Sequence, residues 1–177
     1  IVRSLKDFAH PIDDLKVPAD LNRIIENALT IARNEYKFVA TLDLQLGELP
    51  PITCHAAELS QVVLNLVVNA AHAIGDVVRG SDRQGRITVA TRYERGAAVI
   101  SVGDTGTGIP EAIRSRIFDP FFTTKEVGKG TGQGLSIAWS MVKERHGGEL
   151  TFETELGKGT TFVVRIPSPA GAAHLER

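Results

Sequence analysis

The chain of 177 residues has a single cysteine, Cys54, so no disulfide can close within it, and the apolar stretch around that thiol favours a buried, inert side chain. An excess of one charge is lacking too. The 20 basic side chains stand against 21 acidic ones, so no net field draws the molecule to nucleic acid or to an anionic membrane. The longest apolar stretch, residues 62–74, is interrupted by Asn65, Asn69 and His72 and is too short to span a bilayer, so neither a transmembrane segment nor a signal peptide is expected within these residues. No Gly-x-x-x-x-Gly-Lys-Ser/Thr string occurs, since Lys129 is followed by Gly130; a bound phosphate needs some other holder. No Ser-His-Asp or Cys-His arrangement has a usable local signature, and His55, His146 and His174 lack metal-ligand spacing. The sequence starts without methionine, which points to a piece of something longer.

What is there is 42% apolar and 23% charged, the composition of one soluble domain with a substantial core and a short appendage. Residues 1–9 read as the tail of an upstream helix, stopped by Pro11, with a linker that ends at Pro18. Apolar residues at three- and four-residue steps predict an amphipathic helix over 19–36, with Asp20 as its cap. Strands are expected at 38–44 and 52–54, the longest helix at 56–78, and a hairpin of 86–93 and 97–102 turning near Glu94-Arg95-Gly96. A short helix at 111–116 precedes an irregular segment, 119–133, rich in glycine, threonine and lysine. A helix at 135–145 halts at Gly147-Gly148, and 150–154 with 160–166 form a last hairpin. Hairpins alternating with helices predict an α+β fold, a two-layer sandwich with a mixed sheet and its helices on one face.

Three segments carry chemistry. Gln61, Asn65, Asn69 and His72 recur at steps of four, four and three, a polar stripe on an otherwise apolar helix. A solvated stripe would favour Lys and Glu, which suit helices better than Asn, so two asparagines one turn apart point to a specific task. Magnesium fits it: the ion takes one or two protein oxygens, and a neutral amide coordinates without repelling a triphosphate. His72, a turn on, can reach phosphate oxygens, or simply stand partly exposed. Asp104, where the chain leaves the strand ending near Val102, can accept a hydrogen bond from the exocyclic amine of adenine and would disfavour guanine's carbonyl. Gly106 and Gly108 behind it allow a close backbone approach, although Asp-Thr-Gly is also an ordinary turn. Glycine then fills every second position from Gly128 to Gly134 and runs straight into a helix, whose free amides can hold phosphate. A flexible linker is the alternative. Phe121-Phe122 can anchor one end of that segment, and Lys125 or Lys129 can reach a terminal phosphate or stay solvated.

Four stretches in order resemble the catalytic and ATP-binding domain of bacterial sensor histidine kinases, in the GHKL superfamily of type II topoisomerases, mismatch-repair ATPases and heat-shock chaperone ATPases. Residues 58–70, with Asn65 and Asn69, are similar to the N box, Asp104-Thr-Gly-Thr-Gly-Ile-Pro110 to the first glycine box, 117–125 to the F box, and Gly130-Thr-Gly-Gln-Gly-Leu-Ser136 to the second glycine box. The resemblance covers roughly 18–167 and implies the Bergerat ATP-binding fold over those residues, preceded by the end of a phosphoacceptor helix and linker at 1–17 and followed by a flexible tail at 168–177. It implies ATP and Mg2+ as cofactors, with Asn69 as magnesium ligand, Asn65 as its partner, and Asn65, Asn69 and Lys125 as the catalytic set. Asp104 would contact adenine, Gly106 and Gly108 would floor the base pocket, and Thr161 would make a water-mediated adenine contact. His72, Ile109, Phe118, Thr123, Thr124, Lys129, Gly130, Thr131, Gly132, Gln133, Gly134 and Leu135 complete the expected nucleotide contacts. Thr105 and Gln133 depart from the residues usual at their positions, and neither removes a ligand.

The family's acceptor histidine, with its acidic neighbour, lies on a separate helical hairpin and is absent here, since His10 is followed by Pro11-Ile12-Asp13. The implied activity is transfer of the ATP γ-phosphate to that hairpin, for relay to a response-regulator aspartate. The implied partners are the dimerisation hairpin of the same kinase and a response regulator receiver domain, without nucleic acid or direct membrane contact. The location is cytoplasmic, with membrane anchoring of the parent left open. The rival is a GHKL ATPase acting as an ATP-driven switch. Such relatives place a glutamate base one turn before the magnesium asparagine, where this chain has Asn65. A non-catalytic scaffold is a further rival, disfavoured by the intact boxes.

Overall fold

A computed structural model describes residues 15–125 and 132–169. The upstream helix expected at 1–9, His10, and the proposed contacts Lys129, Gly130 and Thr131 lie outside the described residues. The elements run β1 (Val17–Ala19), α1 (Leu21–Tyr36), β2 (Ala40–Leu46), β3 (Ile52–Cys54), α2 (Ala56–Val78), β4 (Gly85–Glu94), β5 (Ala97–Asp104), a 3-10 turn (Glu111–Arg116), α3 (Gly134–Ser140), β6 (Glu149–Glu155) and β7 (Gly159–Pro167).

Five strands form one sheet in the order β2-β4-β5-β7-β6, with β2 parallel to β4 and the other neighbours antiparallel, so the sheet is mixed as expected. Period-two patterning puts Ile87 and Val89 of β4, Ile100 and Val102 of β5, and Phe162, Val164 and Ile166 of β7 on one buried face. The register aligns Val89, Val102, Phe162 and Phe152 as one row across four strands. Against that face lies α2, with Leu59, Val62, Val63, Leu66, Val67, Ala70, Ala71 and Ile74 buried. The larger of these contribute roughly 1.5–3 kcal/mol each. By length and composition alone α2 could cross a membrane, but those apolar residues are the centre of the domain's core. Helix α1 packs on α2 and is capped by Asp20, whose carboxylate accepts from Arg23 N at 3.2 Å.

Two features were not expected. Strand β1 pairs antiparallel with β3, Pro18 opposite Thr53; a three-residue edge strand centred on proline has no periodicity to read. The helix predicted over 135–145 is α only as far as Ser140, and Met141–Arg145 widens into a π turn. The His146 ring hydrogen-bonds the Met141 carbonyl at 2.8 Å, and its Nε2 accepts from the His55 backbone N–H at 3.1 Å, joining the start of α2 to this turn.

Candidate functional site

Three members of the α2 polar stripe, Asn65, Asn69 and His72, face a cleft of about 1670 Å³ bordered by the end of β5, the turn 107–110, residues 122–125 and the start of α3, while Gln61 stands exposed outside it. Asn65, Asn69, His72, Asp104, Gly108, Ile109, Thr123, Thr124, Lys125, Gly132, Gly134 and Leu135 all line it. Segments more than sixty residues apart are thus brought to one cavity.

The two asparagines differ. Asn65 donates from Nδ2 to the Gly134 carbonyl at 3.0 Å, and its Oδ1 accepts from Gln61 Nε2 at 2.7 Å. Both ends of its amide are committed, and the bond fixes the first residue of α3 against α2. Asn69 makes no hydrogen bond among the described residues and presents a free amide to the cleft. That suits a magnesium ion completed by phosphates and water, and no group of three metal-type side chains exists among the described residues to hold an ion unaided.

Asp104 is fixed through one oxygen. Its Oδ1 accepts from Gly106 N at 2.8 Å and Thr160 N at 3.3 Å, which leaves Oδ2 without a protein partner among the described residues. Burial raises its pKa above the ordinary aspartate value, against the opposing pull of those two amides. Gly106 and Gly108 are required by the protein itself: a Cβ on Gly106 would stand 2.6 Å from the Ala73 Cβ, and Gly108 has φ +72 with a Cβ position 2.3 Å from the Glu155 carbonyl oxygen.

Lys125 Nζ contacts His72 Nδ1. Burial lowers the pKa of both, and the lysine charge lowers that of His72 further. The pair is a half-desolvated cationic patch beside Asn69 on α2, where an anion's attraction is less screened than in water.

Four expected contacts fall outside the cleft lining, the first being Gly106, which is buried against Ala73. Phe118 is absent from the cleft lining; its ring stacks edge-on with Phe152 and Phe162 at 5.9 and 6.4 Å, and Ile117 and Phe122 line the cavity instead. Thr161 shares the outer face of β7 with Val163 and Arg165, while buried Thr160 shares the parity of Phe162 and faces the cleft. Gln133 also falls outside the lining, and its carbonyl accepts from Ile137 N at 2.9 Å and Ser136 Oγ at 3.0 Å. Thr154, which sequence reasoning missed, accepts from Ile109 N at 2.9 Å behind the turn 107–110.

An unpartnered carboxylate oxygen, a free amide and a cationic patch around one cleft, with no Walker loop, define a nucleotide-binding domain built on a mixed sheet. The chain belongs to the histidine kinase-, DNA gyrase B-, and HSP90-like ATPase family, which it matches over residues 54–170. It is 40% identical to Sensor kinase CckA of Brucella abortus (strain 2308) over 68% of this chain and 13% of that protein. It is 36% identical to Sensor histidine kinase ZraS of Escherichia coli (strain K12) over 94% of this chain and 34% of that one. The chain therefore spans only about a third of ZraS and about an eighth of CckA. The catalytic domain of histidine kinase ThkA superposes with a TM-score of 0.73 at 28% identity, covering 86% of this chain and 95% of that one. ThkA in complex with the response regulator protein TrrA superposes with a TM-score of 0.68 at 25% identity over 86% and 42%.

Proposed function

We propose that this domain binds Mg-ATP and transfers the γ-phosphate to a histidine on a helical hairpin of its parent kinase, for relay to a response-regulator aspartate. The observation that carries the kinase reading over an ATP-driven switch is Asn65. The switch-type relatives need a general base at that place to activate water. Here it is an amide with its oxygen and nitrogen tied to Gln61 and Gly134, so Asn65 cannot serve as that base. The ThkA–TrrA complex supports a response regulator as downstream partner.

In this reading Asp104 Oδ2 accepts from the adenine amine, and Asn69 Oδ1 would hold a magnesium ion, which would supply charge compensation for the phosphates. Lys125 and His72 meet the terminal phosphate, whose negative charge favours their protonated forms. Thr123, Thr124, Gly132, Gly134 and Leu135 frame the phosphates, and Asn65 positions the start of α3. Catalysis is then mainly orientation and charge compensation, as phosphoryl transfer requires.

The test is ATP titration with and without magnesium, followed by incubation with the parent's hairpin supplied in trans. The expected result is magnesium-dependent binding that Asn69→Ala abolishes without lowering the melting temperature, and slow formation of phosphohistidine on the hairpin. Steady ATP hydrolysis with no label on the hairpin would favour the switch. Unchanged Mg-ATP affinity in folded Asn69→Ala would remove the magnesium assignment.

A further inference from the structure

The Thr154 hydroxyl is a junction of three segments around the proposed base pocket. It accepts from Ile109 N at 2.9 Å, donates to the Gly159 carbonyl at 3.2 Å, and lies 2.8 Å from Thr160 Oγ1. A threonine hydroxyl has one proton and two lone pairs. With its proton on the Gly159 carbonyl and one lone pair taken by Ile109, the contact to Thr160 can be made only if Thr160 is the donor. The reverse arrangement would leave the Gly159 contact without a proton and one Thr154 lone pair empty. Full satisfaction of the network therefore turns the Thr160 proton inward.

We infer that Thr154 is a specificity-determining positioning residue: by taking the Thr160 proton, it leaves Thr160 Oγ1 facing the cleft as an acceptor only. Thr160 is buried on the cleft face of β7, and its backbone N–H binds Asp104 Oδ1, so its hydroxyl belongs to the same wall as the carboxylate. Asp104 Oδ2 is also an acceptor. That wall then offers lone pairs and no proton, and it selects a base carrying an amine over one carrying a carbonyl at the same position. The inference rests on the reading that Asp104 receives adenine, and it adds a second acceptor whose direction is set from behind.

The test measures a ratio rather than an affinity. Dissociation constants for ATP and inosine triphosphate, which has a carbonyl in place of the 6-amine, are compared in the 177-residue chain and in Thr154→Val, Thr154→Ser and Thr160→Val. Valine at 154 frees the Thr160 proton to turn into the cleft and donate to the carbonyl, so preference for ATP should fall about tenfold, while serine retains it. Valine at 160 removes the acceptor and should also lower the ratio. A defect that only loosened the turn would weaken both nucleotides alike. An unchanged ratio in folded Thr154→Val would overturn the inference, and if that variant does not fold, an unchanged ratio in Thr160→Val would do so. Equal affinity of the wild-type chain for the two nucleotides would instead overturn the Asp104 reading, and this inference with it.

Discussion

Replacing Asp104 by asparagine separates what the carboxylate does for the fold from what it does for a ligand. Both protein hydrogen bonds to the side chain, from Gly106 N and Thr160 N, land on Oδ1, which an amide oxygen can retain. The unpartnered position, Oδ2, becomes an amide nitrogen, so an acceptor turns into a donor. Loss of a charge-assisted bond to the adenine amine costs about 1.5–3 kcal/mol, roughly a 10- to 150-fold weaker ATP affinity. A 6-carbonyl nucleotide gains a donor at the same point, so selection between ATP and inosine triphosphate should reverse. Stability should move the other way. Burial raises the Asp104 pKa, so the folded state holds that proton more tightly than the unfolded one. The group's contribution is favourable below the ordinary aspartate pKa and is lost as pH rises through the folded value, so at neutral pH the ionised side chain costs stability. Asparagine removes that cost, and the variant should melt higher than wild type at pH 7 with the difference vanishing in acid. Isothermal titration and melting curves at both pH values are the assays. Retained ATP preference, or a variant less stable at pH 7, would refute the reasoning.

The glycines of the second glycine segment and His146 give the remaining expectations. Alanine at Gly132, where φ is +65 and a Cβ would stand 2.4 Å from the Phe121 carbonyl carbon, should lower both stability and ATP affinity, with about 1–3 kcal/mol of strain. Alanine at Gly134, where nothing lies within 4 Å of the added Cβ, should melt at or above the wild-type temperature, so any loss of ATP affinity there reports contact with nucleotide. Burial depresses the His146 pKa, and its ring is used neutral, Nδ1 donating to Met141 and Nε2 accepting from His55. Its contribution is therefore complete above the ordinary histidine pKa and is lost as pH falls through it toward the folded value. The melting temperature should decline below about pH 6.5, and His146→Gln should be less stable at pH 7 by about 1–3 kcal/mol and lack that decline.

The ends of α2 were legible because its core face and its asparagine stripe both repeat at helical spacing over 23 residues. Side-chain commitments were not. Asn65 and Asn69 sit one turn apart and look alike in sequence, yet Gly134, far along the chain, engages one and leaves the other free. Thr160 and Thr161 differ by a single step, and period two decides everything there. The parity of Phe162, Val164 and Ile166 was the available signal, and it assigns Thr160 to the helix-covered face. Phe118 was lost to the cleft through rings on β6 and β7, a contact with no local trace.

Pairing in the interior explains why the unpaired groups of the cleft are informative. Among the described residues, Glu58 Oε2 is the one buried side-chain polar atom without a hydrogen-bond partner, so the fold has met nearly all its internal demands. The groups left over lie in the cleft: Asp104 Oδ2 calls for a donor, the Asn69 oxygen for a cation, and the Lys125–His72 patch for an anion. One molecule meets all three needs when a base with an amine is joined to a metal-bound polyphosphate. The first and the last of these needs also have a cost in the free protein, through the burial that raises the Asp104 pKa and lowers those of Lys125 and His72. Nucleotide binding therefore changes protonation as well as occupancy. The triphosphate favours protonated Lys125 and His72, so binding takes up protons and ATP affinity falls as pH rises, provided Asp104 stays ionised.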